Sequence, residues 1–145
     1  MKKSIIRQMK LEDIPYIIRI DGKIVGHPNE AKYRDKIPGY IARCPEACLV
    51  AEVEGTVVGF LLGDIRGWDF GVPLSGWLEI LGVDPYWQGK GIGKKLTQAF
   101  LEYCKGNGIE SVQTMVNWNE GDLIDYFRAL GFKRSEYLNL QKKLT

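Results

Sequence analysis

The sequence predicts a mixed α/β domain of the α+β class, with helices flanking a mostly antiparallel twisted sheet. Strand-like runs rich in Val, Ile and Leu alternate with helical runs along the chain. The dipeptide Glu54-Gly55 separates two such runs, which is typical of a two-residue β-hairpin. The length of 145 residues suits one hydrophobic core, so we expect a single domain over residues 1–145.

In the first half, a strand is followed by two helices and the hairpin. Apolar residues at helical spacing predict the first helix, with Gly22 as its end. The second helix contains Pro38-Gly39, where we expect it to bend or split. The predicted elements are a strand over Ser4–Met9, helices over Leu11–Asp21 and Asn29–Cys44, and strands over Ala47–Val53 and Thr56–Arg66.

The second half alternates strands and helices after a loop over Gly67–Pro73. The clearest helix has Ile92, Leu96, Phe100 and Tyr103 on one face. The predicted elements are strands over Leu74–Val83, Ser111–Val116 and Tyr137–Leu144, and helices over Gly91–Asn107 and Asp122–Leu130.

Composition and charge exclude several classes of protein. The net charge of +2 is too small to indicate nucleic-acid binding. No apolar run approaches the ~20 residues of a membrane span, and the N-terminal residues lack the apolar stretch of a secretion signal. We therefore expect a cytoplasmic protein without nucleic-acid or membrane partners.

Cysteine and histidine usage argues against a metal centre. The chain has three cysteines, Cys44, Cys48 and Cys104, a small and odd number that argues against a disulfide framework. Cys44 and Cys48 could hold a metal, but the sequence has no second pair to complete a tetrahedral site. His27 is the only histidine, and a loop position beside Pro28 explains it. We expect no metal.

A glycine-rich segment between a strand and a helix predicts an anion site. Its glycines allow a phosphate to approach the backbone, and the first turn of a helix leaves N–H groups without internal partners. The helix dipole adds positive potential there. The segment is Gln88-Gly89-Lys90-Gly91-Ile92-Gly93, followed by Lys94 and Lys95, and we expect the lysines at positions 90, 94 and 95 to face the phosphate.

The spacing of the glycines selects among phosphate ligands. It fits neither the nucleoside-triphosphate loop nor the dinucleotide fingerprint. The pattern Gln-x-x-Gly-x-Gly, preceded by Val83-Asp84-Pro85, resembles the coenzyme A pyrophosphate loop of the GNAT superfamily of acyl-CoA N-acyltransferases. The order of elements is similar to that fold over essentially the whole chain.

A second segment is similar to another GNAT motif. It consists of Asn119, a short helix containing Tyr126-Phe127, and Gly131-Phe132. The tyrosine of the family usually stands four residues before the glycine, where this chain has Phe127. Either the helix is shifted by one residue or the phenol is not used as in most members.

The resemblance implies acetyl-CoA as co-substrate and a sheet splayed at the cofactor cleft. The pyrophosphate would lie on the backbone of Gln88–Lys94, and the pantetheine arm would pair with the backbone of Leu81 and Val83. Asn119 would hold the cofactor or cap the following helix. Gly82 marks either a bulge that opens the sheet or close packing against a helix.

Two side chains are candidates for proton transfer. Strand alternation would place Trp77, Glu79, Leu81 and Val83 on one face, so Glu79 is a candidate general base, with a surface ion pair as the alternative. Tyr126 is the candidate acid for the leaving thiolate, with a place in the core as the alternative.

The resemblance implies direct transfer to a primary amine in a ternary complex. The acceptor is a small molecule or a peptide, and Tyr33, Trp68, Asp69 and Phe70 are candidates to line its site. Exposed aromatic residues in that loop equally indicate a possible homodimer. The alternatives are a protein N-terminal or lysine acetyltransferase and a non-catalytic acyl-CoA-binding sensor.

Overall fold

The computed structural model describes residues 3–67 and 73–145, and the chain divides into two compact units. The first is Met1–Met115 and the second is Val116–Thr145.

A five-stranded sheet forms the centre of the first unit, in the order β1-β2-β3-β4-β5. Neighbouring strands are antiparallel except β4 and β5, which are parallel. At the β2–β3 turn, Glu54 and Gly55 have φ of 50° and 79°, as a type I′ hairpin requires. The strands are β1 Ser4–Gln8, β2 Cys48–Val53, β3 Thr56–Arg66, β4 Ser75–Val83 and β5 Val112–Thr114.

Three helices belong to the same unit: α1 Ile14–Val25, α2 Glu30–Arg43 and α3 Ile92–Gly106. The expected end of α1 at Gly22 is wrong. The helix continues to Gly26, whose φ of 93° and N–H bond to the Gly22 carbonyl form the actual cap. The helix does not split at Pro38, since α2 runs through this residue as one helix, and the bend expected as the alternative stays a prediction.

The helices cover opposite faces of the sheet. On one face, buried residues of α1 and α2, such as Ile17 and Tyr33, form a core with Phe60 and Leu62 of β3. On the other face, α3 approaches the strands closely because glycines lie beneath it. A Cβ atom on Gly63 would lie 2.7 Å from Cε1 of Phe100. Side chains of α3 therefore occupy space that strand side chains normally fill.

Strand β4 is irregular in a way that matters for the site. Its pairing with β3 passes from Leu62–Ile80 to Gly63–Leu78, so Glu79 is an inserted residue at a β-bulge. Its parallel pairing with β5 covers only Gly76, Trp77 and Leu78. The two strands therefore part halfway along β4, as the expected splayed sheet requires.

The second unit contains helix α4, Gly121–Ala129. The predicted last strand over Tyr137–Leu144 is wrong, because these residues form neither strand nor helix. A strand needs a hydrogen-bonded neighbour, and the described residues of this unit provide none. The alternating residues Leu138 and Leu140 are correspondingly 82% and 85% exposed.

None of the helices in the described part of the chain has both the length and the apolar character of a membrane span.

Candidate active site

The predicted anion site lies at the junction of β4 and α3. A short 3-10 helix, Pro85–Trp87, follows β4 and leads into the glycine loop. Gly91 has φ of 83° and is the residue that caps α3, a left-handed conformation that suits glycine. Gly89 has φ of 77°, and a Cβ atom there would meet nothing within 4 Å. The loop is therefore open around Gly89 and Gly91.

The amides at the start of α3 are available to an anion. The first bond of the helix runs from the Lys95 N–H to the Gly91 carbonyl, at 3.0 Å. The preceding N–H groups, those of Ile92, Gly93 and Lys94, have no acceptor within the helix. No acidic residue lies in the first turn to neutralise them. The carbonyl of Gly93 accepts a bond from the Thr97 hydroxyl at 2.9 Å, which fixes this turn.

The basic residues of the loop have different environments. The ammonium of Lys90 lies 5.7 Å from the ring centroids of both Tyr86 and Trp87. Lys94 is exposed. The Lys95 ammonium instead donates to the Ser4 hydroxyl at 3.0 Å, so the structure directs it to β1 and does not support a phosphate contact. Gln88 donates from Nε2 to the carbonyl of Val83 at 3.0 Å, which ties the loop to the end of β4.

The bulge reverses which backbone groups of β4 face β5. In a strand, successive residues direct their backbone groups to opposite edges. The Gly76 N–H donates towards β5, to the Ser111 carbonyl, whereas the Asp84 N–H donates towards β3, to the Val58 carbonyl. These two even-numbered residues point to opposite edges because one residue is inserted between them at Glu79.

It follows that Leu81 and Val83 direct their backbone N–H and C=O groups away from β3, to the edge of β4 that β5 covers only as far as Leu78. None of the described strands pairs with β4 at that edge past Leu78. The backbone that the resemblance to the GNAT superfamily assigns to the pantetheine arm is therefore at the position where an added strand would pair.

The same bulge contradicts the expectation that one face of β4 carries Trp77, Glu79, Leu81 and Val83. Leu81 and Val83 pair with Leu61 and Gly59, on the face that α3 covers. On the opposite face, Trp77 pairs with Asp64, whose carboxylate binds Arg43 of α2.

Glu79 lies on the α1–α2 face with Trp77. Its carboxylate accepts a bond from the guanidinium of Arg66, which also lies 4.6 Å above the Trp77 ring. The side chains of Arg66 and Glu79 are 42% and 22% exposed. Glu79 is thus a partly buried, ion-paired carboxylate next to the bulge. Both interpretations from the sequence, a base and an ion-pairing residue, stay compatible with this geometry.

Gly82 does not mark the bulge. A Cβ atom on Gly82 would lie 2.6 Å from Cε1 of Phe60, so close packing explains this glycine, but the packing partner is a residue of β3 and not the expected helix.

Asn119 and Tyr126 belong to the second unit. The N-cap of α4 is Glu120, so the expected capping role of Asn119 is wrong; its N–H instead bonds the Asn117 side chain at 2.9 Å. The Tyr126 ring packs edge-on against Phe127, with centroids 5.2 Å apart. Phe127 is buried and also packs against Phe132. The roles of Asn119 and Tyr126 stay predictions.

Sequence reasoning missed the contribution of Asp84. Its buried carboxylate accepts bonds from the Tyr86 N–H and from Lys23 of α1, both at 3.0 Å. Burial raises the pKa of Asp84, but these two bonds outweigh it, and the pKa lies below its usual value. The signal was the Asp-Pro step, since aspartate before a helical turn is a common cap.

The predicted acceptor residues are only partly described. Tyr33 is fully buried and donates its hydroxyl to Asp21 at 2.8 Å, so its expected role in lining an acceptor site is wrong. Trp68, Asp69 and Phe70 lie outside the described residues.

The three cysteines are free and buried. Burial raises the pKa of the Cys48 and Cys104 thiols to about 11. In the part of the chain that the structure describes, no cluster of three or more His, Cys, Asp or Glu side chains is arranged to hold a metal.

Comparison with known proteins establishes the family. Residues 14–132 match the model of the Acetyltransferase (GNAT) family, so the chain belongs to that family, as its glycine loop and splayed sheet indicate.

Among curated proteins, a mycothiol acetyltransferase of Stackebrandtia nassauensis is 35% identical over 103 residues, which cover 69% of this chain and 33% of that protein. The chain spans between a quarter and a third of the length of the mycothiol acetyltransferases it matches.

Solved structures share the fold. The aminoglycoside N-acetyltransferase AAC(6')-Iy in complex with CoA is 18% identical, with a TM-score of 0.83 over 100% of this chain and 97% of that one. Ard1 from Thermoplasma volcanium is 25% identical, with a TM-score of 0.76 over 91% of this chain and 84% of that one.

Proposed function

We propose that this protein is an N-acetyltransferase that transfers the acetyl group of acetyl-CoA directly to a primary amine. The observation that carries the proposal is the junction of β4 and α3. There, the edge of β4 that faces away from β3 at Leu81 and Val83, which none of the described strands covers, adjoins the open amides of α3. A molecule with an amide-bearing arm and a pyrophosphate matches both features, since the arm adds to the strand and the phosphates face the helix.

The chemistry requires a neutral amine and a protonated leaving group. The amine nitrogen attacks the thioester carbonyl carbon, the C–S bond breaks, and an acetamide and the CoA thiol result. In this proposal Glu79 takes the amine proton, directly or through water, and Tyr126 gives a proton to the thiolate. An N–H group of β4 at Leu81 polarises the thioester carbonyl. Positioning both substrates in one cleft supplies much of the remaining rate enhancement.

Direct transfer is favoured over an acyl-enzyme by the state of the thiols. All three cysteines are buried, and the raised pKa of Cys48 and Cys104 keeps those two thiols protonated at neutral pH. The names of related proteins, which include mycothiol and aminoglycoside acetyltransferases, support an amine acceptor.

Calorimetry with coenzyme A tests the cofactor site. Gly91→Asp places a carboxylate at the anion site, and we expect it to abolish measurable binding. Gly108→Asp is the matched control, because Gly108 also has a left-handed φ, of 74°, and open space around it but follows the other end of α3. Full affinity in Gly91→Asp would refute the proposed site.

Thiol release from acetyl-CoA in the presence of an amine panel tests the activity. Turnover with any primary amine supports the proposal. Tight binding of acetyl-CoA without turnover on any amine would indicate the non-catalytic sensor instead.

A further inference from the structure

A cavity of about 570 Å³ lies where the C-terminal ends of α2 and α3 meet the last residues of β3. Its volume is within the range of small-molecule sites. It lies at the opposite end of α3 from the glycine loop, so the proposed pyrophosphate site does not account for it. The residues that decide its chemistry are Arg43, Glu46, Asp64, Arg66, Leu74 and Ile109.

Two arginines that line the cavity, Arg43 and Arg66, have guanidinium donors to spare. Arg43 donates from Nε to Asp64 at 3.3 Å, and Arg66 donates to Glu79, which lies outside the cavity lining. A guanidinium carries five N–H donors, so these bonds leave part of each group available. The side chains of Arg43 and Arg66 are 55% and 42% exposed, which makes those donors accessible to a ligand.

The wall also carries negative charge. Asp64 is satisfied by Arg43 and by the Ile65 N–H at 2.9 Å. Glu46 is exposed, and its carboxylate lies 4.0 Å from the Cys44 thiol. A polyamine would meet the two guanidinium groups, and a simple anion would meet Glu46, so neither is well matched. A zwitterion complements both signs.

Arg66 connects the cavity to Glu79. A carboxylate bound by the remaining donors of Arg66 is held beside the Glu79 carboxylate, which Arg66 also binds. An α-amino acid carries its ammonium and its carboxylate on the same carbon, so the ammonium then lies next to Glu79. Ile65, Leu74 and Ile109 form an aliphatic part of the wall that suits an apolar side chain.

We propose that this cavity binds the acceptor, and that the acceptor is an α-amino acid with an apolar side chain, recognised through its carboxylate by Arg43 and Arg66. This inference rests on the proposed acetyltransferase function, since it assigns the amine substrate of that reaction.

The test compares matched acceptors that differ only at the carboxyl group. Leucine, phenylalanine and methionine are assayed beside their carboxamides and the corresponding amines without a carboxyl group. The parent is compared with Arg43→Gln, in which glutamine still donates to Asp64 but carries no charge. Arg34→Gln, an exposed arginine on the same helix, is the control. For each acceptor, kcat/KM of the variant is divided by kcat/KM of the parent, which cancels differences in intrinsic reactivity between the amines.

We expect Arg43→Gln to lower kcat/KM for the amino acids by about ten- to hundredfold, the contribution of a hydrogen bond to a charged group. In Arg43→Gln, kcat/KM for the carboxamides and the affinity for coenzyme A should equal those of the parent. In Arg34→Gln, kcat/KM for the amino acids should equal that of the parent as well. Leu74→Trp is a second variant that narrows the cavity at an exposed position, and it should raise KM for the amino acids while leaving coenzyme A binding intact.

Equal loss for amino acids and carboxamides, or no loss in either variant, would overturn this assignment while leaving the acetyltransferase proposal standing. Turnover of amines without a carboxyl group in preference to amino acids would overturn it as well. Absence of turnover with every amine, despite coenzyme A binding, would instead remove the proposed function itself.

Discussion

The ammonium of Lys23 and the buried carboxylate of Asp84 are 3.0 Å apart, although 61 positions separate them in the sequence. Lys23 is in the last turn of α1, and Asp84 connects β4 to the 3-10 helix that precedes the glycine loop. Because Asp84 also accepts the Tyr86 N–H, the pair fixes the start of the loop against α1. The path of the loop towards α3 therefore depends on a residue far from it in sequence.

Asp84→Asn should lower the free energy of unfolding by about 1–2 kcal/mol at neutral pH. Asparagine still accepts the Tyr86 N–H but loses the charged bond to Lys23, which is itself half-exposed and partly screened. The native pKa of Asp84 lies below its unfolded value of about 3.9, so the ionised form stabilises the fold above about pH 4. The difference between parent and variant should be constant from pH 7 to about pH 5 and shrink as the pH falls below about 4.

Urea unfolding at several pH values measures this difference. Asp35→Asn, at an exposed carboxylate on α2, is the control and should change the free energy by less than about 0.5 kcal/mol. A difference between parent and Asp84→Asn that grows on acidification would show that the carboxylate does not stabilise the fold.

The glycine loop was predictable because its signal is local. Glycine spacing, the preceding Asp-Pro step and the amphipathic helix are read directly from neighbouring residues, and the observed helix begins at Ile92, one residue from the expected start. The β2–β3 hairpin was predictable for the same reason. The end of α1 was not, since Gly22 and Gly26 are both plausible caps and only the tertiary structure selects Gly26.

The bulge at Glu79 could not be predicted from the sequence. A strand is expected to alternate, and the inserted residue is visible only in the pairing of β4 with β3. It changes the face of Leu81 and Val83 relative to Trp77 and turns their backbone towards the unpaired edge. The cavity at the end of α3 was likewise hidden, because Arg43 and Arg66 lie 23 positions apart on different elements.

Gly82→Ala should destabilise the protein by about 1–3 kcal/mol, the usual cost of overpacking a core. The added methyl group would lie 2.6 Å from the Phe60 ring, which is only 1% exposed, so the ring or the strand must shift to admit it. Gly39→Ala in α2 is the control, since its nearest neighbour is 3.7 Å away and alanine favours a helix, so it should be neutral or stabilising. Thermal unfolding of both variants measures the contrast, and a Gly82→Ala protein as stable as the parent would contradict the close packing.

Tyr126→Phe and Phe127→Ala should separate catalysis from packing in α4. If Tyr126 is the general acid, Tyr126→Phe lowers kcat by about 10²–10⁴-fold and leaves the unfolding free energy nearly unchanged. Phe127 is 6% exposed and packs between Tyr126 and Phe132, so Phe127→Ala should cost about 3–5 kcal/mol. Steady-state kinetics and urea unfolding of the two variants give the comparison. Undiminished turnover in Tyr126→Phe would assign Tyr126 to packing alone.

Glu79→Gln should lower turnover and change its dependence on pH. A primary amine such as a lysine side chain has a pKa of about 10.4, so at neutral pH the acceptor must lose a proton before it attacks. Glutamine retains a bond to Arg66 but accepts no proton. We expect kcat to fall by about 100-fold at neutral pH, the low end for loss of a general base because water can share the role. The loss should diminish at high pH, where more of the amine is neutral, while coenzyme A affinity is unchanged.

The measurement is the pH–rate profile of Glu79→Gln beside that of the parent. Asp64→Asn is profiled as well, because Asp64 is another candidate for the base. Superimposable profiles for the parent and Glu79→Gln would make Glu79 a structural partner of Arg66 and place the base elsewhere, with Asp64 or Glu120 as the next candidates.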